Sequence, residues 1–254
     1  MAGILSGLLG IGGGAVFVPS LLFLLPLFGV NSSEVATTAI ATSLFAGSFA
    51  SASSFFNHNK KNNLDIQKGI ILTFGVIISA WYAPDVIVIL NPSILKIIIS
   101  FFLLLVAIKL FFGNSANDKT DNKIGKLWLF PAGLFFGGIA AISGLGGGVF
   151  YVPILLYFLN GNLKLAVGTS TMVVFFTMVI STISFAYLNN DWNASLWQWG
   201  YLNIPAALLL GIGAVVGAYL GVKLIFKVRI IAFKKIFSVF LFFIVIKILL
   251  SVNL

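Results

Sequence analysis

Cysteine is absent from this 254-residue chain, and charged residues are scarce. Without cysteine, the chain can form no disulfide bond and no thiolate metal site. Charged residues make up 8% of the sequence, whereas soluble domains contain about 25%. Apolar residues, by contrast, make up 60%. This composition excludes a soluble fold and predicts an all-α polytopic protein whose surroundings are the lipid bilayer.

Residues that could catalyse a reaction or hold a metal ion are also few. The acidic residues lie in or near predicted loops, and the single histidine, His58, lies in a polar stretch of asparagines and lysines. His58 is therefore expected to be a solvated loop residue. No carboxylate pair, no nucleophile beside a base and no cluster of metal ligands can be assembled. We therefore expect no catalytic residues, no metal site and no cofactor.

Eight apolar segments follow one another along the chain, and helices of this length can cross the hydrocarbon core of a membrane. They span residues 2–29, 35–56, 69–90, 93–113, 127–160, 165–188, 200–225 and 230–253. A polar linker, residues 114–126, separates the first four segments from the last four. The sequence thus predicts a repeat A over residues 1–113 and a repeat B over residues 127–254, which together form one transmembrane domain.

A glycine-rich stretch occurs once at the start of each repeat. Residues 3–19 read GILSGLLGIGGGAVFVP, and residues 137–153 read GGIAAISGLGGGVFYVP. Each glycine disfavours a helix by about 1 kcal/mol relative to alanine, so the triple runs predict broken helices in segments 1 and 5. The alternative is that glycines only allow helices to pack closely. That reading suits the spaced glycines Gly213, Gly217 and Gly221 better than a triple run.

Hydroxyl-rich segments also correspond between the repeats, since residues 39–43 (AIATS) match residues 166–170 (AVGTS). A broken helix exposes backbone N–H groups that can bind an anion, and nearby hydroxyls could line the same site. Hydrogen bonding between helices, or to carbonyls of the same helix, is the alternative role for these hydroxyls. The candidate substrate-binding residues are Gly12, Gly13, Gly14, Thr42, Ser43, Gly146, Gly147, Gly148, Thr169 and Ser170.

Basic residues in the loops indicate how the two repeats are related. If all eight segments simply cross the membrane, six of the eleven basic loop residues lie on one side and five on the other. If segments 1 and 5 instead fold back at their glycines, all eleven lie on one side, as the cytoplasmic bias of membrane proteins requires. The fold class predicted is therefore two inverted four-segment repeats with re-entrant helices in segments 1 and 5, joined by a cytoplasmic linker. The net charge of +9 belongs to these loops and does not indicate nucleic-acid binding.

With these motifs the chain resembles the sulfite exporter TauE/SafE family of membrane permeases. The residues that carry the likeness are 7–14 with Val18 and Pro19, 143–148 with Val152 and Pro153, and the Thr-Ser runs ending at Leu44 and Thr171. The second glycine stretch has Ala141 where the first has Gly7. The two half-sites are therefore not expected to be equivalent.

The resemblance implies a multi-pass transporter of the cytoplasmic (inner) membrane. Its expected function is to export small sulfur-containing anions such as sulfite, thiosulfate or organosulfonates. A transporter of another small anion, such as a carboxylate, and a non-transporting membrane scaffold are the alternatives. The sequence leaves the identity of the anion, the direction of transport, the coupling ion and the oligomeric state open.

Overall fold

Helices form most of the structure, a computed structural model that describes residues 2–30, 34–89, 125–188, 192–193 and 197–225, with isolated residues from 100 to 112 and from 232 to 246. Repeat A contains α1 (Ala2–Leu9), α2 (Gly14–Leu24), α3 (Val35–Asn59) and α4 (Ile66–Ile89). Repeat B contains α5 (Leu129–Ser143), α6 (Gly148–Phe158), α7 (Leu163–Leu188) and α8 (Ile204–Ile225). Most of the predicted segments 93–113 and 230–253 and most of the linker 114–126 lie outside the described residues.

Within the described residues, five helices are long and apolar enough to cross a membrane: α3, α4, α5 with the turn before it, α7 and α8. Predicted segments 2, 3, 6 and 7 correspond to α3, α4, α7 and α8, with ends that differ by a few residues. Apolar side chains such as Phe74 on α4 and Leu209 on α8 are exposed on the outside of the bundle. Such side chains suit contact with lipid, as an all-α membrane protein requires.

Short elements complete the chain between the long helices. Two 3-10 helices occupy Leu25–Phe28 and Lys126–Trp128. Three strands, β1 (Trp192–Asn193), β2 (Gln198–Trp199) and β3 (Leu202–Asn203), form a small antiparallel sheet between α7 and α8. This sheet departs from the all-α prediction. Its strands have two residues each, too few to produce a recognisable alternating pattern.

The long helices α3 and α7 pack against each other at the centre of the fold. Around them, α1 packs on α8 and α5 packs on α4. Glycines bring these outer pairs close: a Cβ atom added at Gly7 would overlap the Ala218 carbonyl of α8, and one at Gly133 would overlap the Leu72 carbonyl of α4. Close backbone approach at small residues is how membrane helices gain packing energy.

His58 is not the solvated loop residue that its polar neighbours predict. The helix α3 continues to Asn59, and the His58 side chain is buried in its last turn. The imidazole lies near the backbone of Gly7 on α1, and its Nδ1 atom lies next to Gly168 of α7. The prediction was wrong because other helices pack around the end of α3, with Gly168 of α7 leaving room for the ring, and such packing is invisible in the local sequence.

Candidate functional site

Each glycine-rich stretch separates two helices and has the same backbone conformation in both repeats. Residues 10–13, the first break, separate α1 from α2, and residues 144–147, the second break, separate α5 from α6. The φ angles are 69°, 76° and 83° at Gly10, Gly12 and Gly13, and 68°, 76° and 86° at Gly144, Gly146 and Gly147. Glycine adopts such positive φ angles without steric cost. The sequence therefore needs glycine at three places in each break.

The two breaks contact each other reciprocally. A Cβ atom added to Gly14, the first residue of α2, would overlap the carbonyl of Gly144 in the second break. In the same way, a Cβ atom added to Gly148, the first residue of α6, would overlap the carbonyl of Gly10 in the first break. Since only glycine allows this approach, the third glycine of each triple run brings the two breaks together.

Two helix N-termini, those of α2 and α6, begin at the breaks. The residues before them, Gly13 and Gly147, provide no side-chain cap, and their carbonyls accept the first helical hydrogen bonds. The first N–H groups of a helix have no partner within the helix. Among the described residues, no backbone hydrogen bond takes up the N–H groups of residues 12–14 or 146–148. These groups, with the positive ends of two helix dipoles, can bind an anion.

The predicted serines reach the breaks from the opposite repeat. Ser43 of α3 donates a hydrogen bond to the carbonyl of Gly144 over 3.1 Å, and Ser170 of α7 lies 3.4 Å from the carbonyl of Gly10. Each serine also donates to a carbonyl of its own helix. Both side chains are fully buried. The structure thus brings the serines and the glycines of the prediction into one cluster.

The predicted threonines are buried as well, but their hydroxyls contact other segments. Thr42 accepts a hydrogen bond from the backbone N–H of Asn203 over 3.1 Å, at the end of the small sheet. Thr169 accepts one from the backbone N–H of Asp65 over 2.9 Å, just before α4. Each threonine therefore holds the connection that precedes a long helix of the bundle.

Sequence reasoning missed Met178, which lies between the two breaks. Its side chain is fully buried, and Cβ atoms added at Gly12 and at Gly146 would both overlap its terminal methyl group. Aligning the repeats on Ser54 and Ser181 places Met178 opposite Ser51 of repeat A. The sequence signal that could have identified Met178 is this difference between the repeats, a large side chain in repeat B where repeat A has a small one.

A second missed feature makes the two half-sites chemically different. The ring of Phe17 lies against Gly13 in the first break, and that of Tyr151 lies against Gly147 in the second. The Tyr151 hydroxyl is 3.1 Å from Oγ1 of Thr177, and both side chains are buried. The second break therefore has a buried polar pair beside it where the first break has a phenyl ring. Such a difference agrees with the expectation that the half-sites are not equivalent.

Metal binding finds no support in the described part of the chain, where no group of three or more histidine, aspartate or glutamate side chains comes together. The ion pair between Lys68 and Asp65, with 3.0 Å between Nζ and Oδ2, lies at the start of α4 and away from the breaks. The central cluster consists of neutral groups only. Its chemistry is that of hydrogen-bond donors and acceptors, without a charged side chain.

Known proteins are similar to this chain over most of its length. The sequence model of the family described as "Sulfite exporter TauE/SafE" matches residues 1–248. A probable membrane transporter protein of Haemophilus influenzae is 30% identical over 247 residues, which cover 95% of this chain and 91% of that protein. A probable membrane transporter protein of Methanocaldococcus jannaschii is 30% identical over 226 residues, which cover 88% of this chain and 82% of that protein. The probable membrane transporter protein YunE of Bacillus subtilis is 26% identical over 239 residues, which cover 87% of this chain and 84% of that protein. No solved structure matches the chain significantly.

Proposed function

The chain belongs to the sulfite exporter TauE/SafE family and is a membrane transporter, and we propose that it exports small sulfur-containing anions such as sulfite, thiosulfate or organosulfonates. The family description, which names sulfite, supports this substrate class. Membership of a transporter family also argues against an enzyme. The partners of the protein are then the lipid bilayer and a small anion, and its location is the cytoplasmic membrane.

One observation supports an anion site above all: two helix N-termini, one from each repeat, begin at breaks that touch each other. An anion between them would accept hydrogen bonds from the N–H groups that the helices leave without a partner. The two dipoles would add an attractive potential from both sides. The proposed donors are the backbone N–H groups of Gly12, Gly13, Gly14, Gly146, Gly147 and Gly148.

Neutral donors suit a site from which the anion must also leave. Neither break contains lysine or arginine, as residues 10–14 read GIGGG and residues 144–148 read GLGGG. A lysine or arginine would add the attraction of a full positive charge, which is strong where bulk water is excluded. A site that contains no cationic side chain therefore holds an anion less tightly and releases it sooner.

The buried hydroxyls have supporting roles in this proposal. Ser43 and Ser170 contact the carbonyls of Gly144 and Gly10 and so help to hold the backbone of each break in place. Thr42 and Thr169 hold the connections next to α8 and α4. These residues belong to the site because they set its geometry from the opposite repeat.

We propose further that the repeats are inverted and that α1–α2 and α5–α6 are re-entrant pairs. With 8, 11 and 11 residues, α1, α2 and α6 fall short of the about 20 residues that a helix needs to cross the membrane. Only α5, with the turn before it, is long enough among these four described helices. The reciprocal contacts of the two breaks support a two-fold relation between the repeats. The one-sided distribution of basic loop residues supports the same arrangement.

Ligand-induced stabilisation of the purified protein tests this proposal. A bound anion raises the unfolding temperature because it binds the folded state alone. We expect sulfite, thiosulfate or a short organosulfonate to raise the temperature more than chloride or acetate does. The anion that stabilises the protein should then cross the membrane of proteoliposomes. If only carboxylates raise the unfolding temperature, the substrate class is carboxylates and not sulfur-containing anions. If the protein neither binds nor transports any of these anions, the proposed function is wrong.

A further inference from the structure

Met178 occupies the point where three backbone segments converge. Its terminal methyl group lies against Gly12 in the first break, Gly146 in the second break and Gly47 on α3. A Cβ atom added at Gly47 would be 2.6 Å from this methyl group, and Cβ atoms at the other two glycines would overlap it. Three glycines on three different segments therefore make room for one thioether side chain.

The corresponding place in repeat A holds a much smaller side chain. Ser51 lies opposite Met178, and its hydroxyl is 3.7 Å from the methionine sulfur. The Ser51 hydroxyl also lies within hydrogen-bond distance of the carbonyls of Gly47 and Ser48 on its own helix. Across the two-fold relation of the repeats, a bulky apolar group thus faces a small polar one. Among the described residues, Met178 of repeat B is the side chain that lies against both Gly12 and Gly146.

We propose that Met178 is the specificity-determining residue of the anion site, because its side chain sets how much room an anion has between the two breaks. This inference rests on the proposed function and deepens it. Methionine has three rotatable side-chain bonds and adapts its shape easily. Its methyl group can therefore move aside for a small oxyanion while the backbone at the breaks stays in place. An anion with a bulky organic substituent needs more space than this movement provides.

A methionine on the same helix provides a matched control. Met172 of α7 is also buried, and its sulfur lies against Gly69 at the start of α4, 3.2 Å from a Cβ atom added there. The substitution Met172→Ala removes the same atoms as Met178→Ala, but away from both breaks. Met178→Val removes less volume and serves as a milder variant if the alanine variant is poorly folded.

The experiment compares sulfite, methanesulfonate and butanesulfonate as ligands of the wild type and the three variants. Affinities come from the concentration dependence of the unfolding temperature. We expect Met178→Ala to shift the preference for sulfite over butanesulfonate by roughly tenfold or more towards butanesulfonate, as for added space in an apolar pocket. Met178→Val should give a smaller shift, and Met172→Ala none.

Two results would contradict the inference, and they differ from a failure of the proposed function. If Met178→Ala or Met178→Val binds sulfite with the wild-type preference, Met178 does not set the specificity. If Met172→Ala shifts the preference as much as Met178→Ala, the effect comes from general loosening of α7. If the wild type itself responds to no sulfur anion, the proposed function fails and the inference fails with it.

Discussion

At the scale of single residues, the glycines of the breaks combine an unusual backbone angle with a crowded surrounding. Gly13 has a φ angle of 83°, and a Cβ atom there would lie 2.9 Å from the Phe17 ring. Gly29 has nearly the same angle, 85°, but no atom of the described residues lies within 4 Å of its Cβ position. Alanine in the left-handed region costs about 1–2 kcal/mol at either place. Comparing the same substitution at the two glycines therefore distinguishes the effect of backbone strain alone from the effect of crowding at the proposed site.

We predict that Gly13→Ala abolishes the anion-induced rise in unfolding temperature, whereas Gly29→Ala keeps it. Without anion, Gly13→Ala should lose more stability than Gly29→Ala, because it adds crowding against the Phe17 ring to the same backbone strain. Thermal unfolding with and without sulfite measures both effects. Equal anion affinities in the two variants would show that the N–H groups at the first break do not bind the anion.

At the scale of helices, α1 is held against α8 by glycines whose spacing the sequence shows. A Cβ atom at Gly221 would overlap the carbonyl of Ile4, and one at Gly217 would lie 3.0 Å from the Ile4 nitrogen. Gly213, four residues before Gly217, has no atom within 4 Å of its Cβ position in the part of the chain that the structure describes. The packing role predicted for all three glycines thus holds for two of them. Since α1 leads into the first break, its contact with α8 also positions the proposed site.

We predict that alanine has different effects on stability at Gly221 and at Gly213. Gly221→Ala should lower the unfolding temperature because its methyl group pushes α1 away from α8. Gly213→Ala should leave the temperature unchanged or raise it, since alanine favours a helix by about 1 kcal/mol over glycine. Thermal unfolding in detergent compares the two variants directly. A loss of stability in Gly213→Ala as large as that in Gly221→Ala would contradict the assigned contact.

At the scale of the whole molecule, the proposed inverted repeats determine which loops share a side of the membrane. The chain has no cysteine, so single introduced cysteines report on one position each. Lys60, Ala232 and Leu27 are exposed and lie in different parts of the chain. The basic loop residues predict that Lys60 and Ala232 face the cytoplasm. Leu27, between α2 and α3, is predicted to face the opposite side.

We therefore expect an impermeant thiol reagent to label Leu27→Cys in intact cells. Lys60→Cys and Ala232→Cys should be labelled only after lysis. Labelling of the lysed cells serves as the control for accessibility of each cysteine. If Lys60→Cys and Ala232→Cys are labelled from different sides, the repeats are not inverted.

The driving force of transport is also a property of the whole molecule. An inside-negative potential drives an anion outward with about 2.3 kcal/mol per charge per 100 mV. Export of a monovalent anion can therefore run on this potential without a coupled ion. We predict flux in proteoliposomes that follows the imposed potential and persists without a pH gradient, both in the wild type and in His58→Ala. Because His58 is buried between α1 and α7, it is the residue to test for proton coupling. Flux that requires a pH gradient at zero potential, and that His58→Ala abolishes, would contradict the prediction.

The sequence by itself determined the class of the protein, the positions of the described long helices and the places where glycine is needed. Each of these depends on short stretches of chain: hydropathy adds up over about 20 neighbouring residues, and the helix penalty of glycine acts at its own position. The family resemblance, now supported along residues 1–248, also rests on such local motifs. For these features the contacts between distant residues matter little.

Only the tertiary structure decided which residues meet. His58 is buried beside Gly7 of α1 and Gly168 of α7, and the position of Met178 depends on Gly12, Gly47 and Gly146. These partners are far apart in the chain, and the packing of α1, α3 and α7 brings them together. The hydroxyl of Thr42 likewise acquires its partner, Asn203, from the connection before α8 in the other repeat. A local pattern shows that a side chain is polar or large, but the helices packed around it decide whether it is buried and what it contacts.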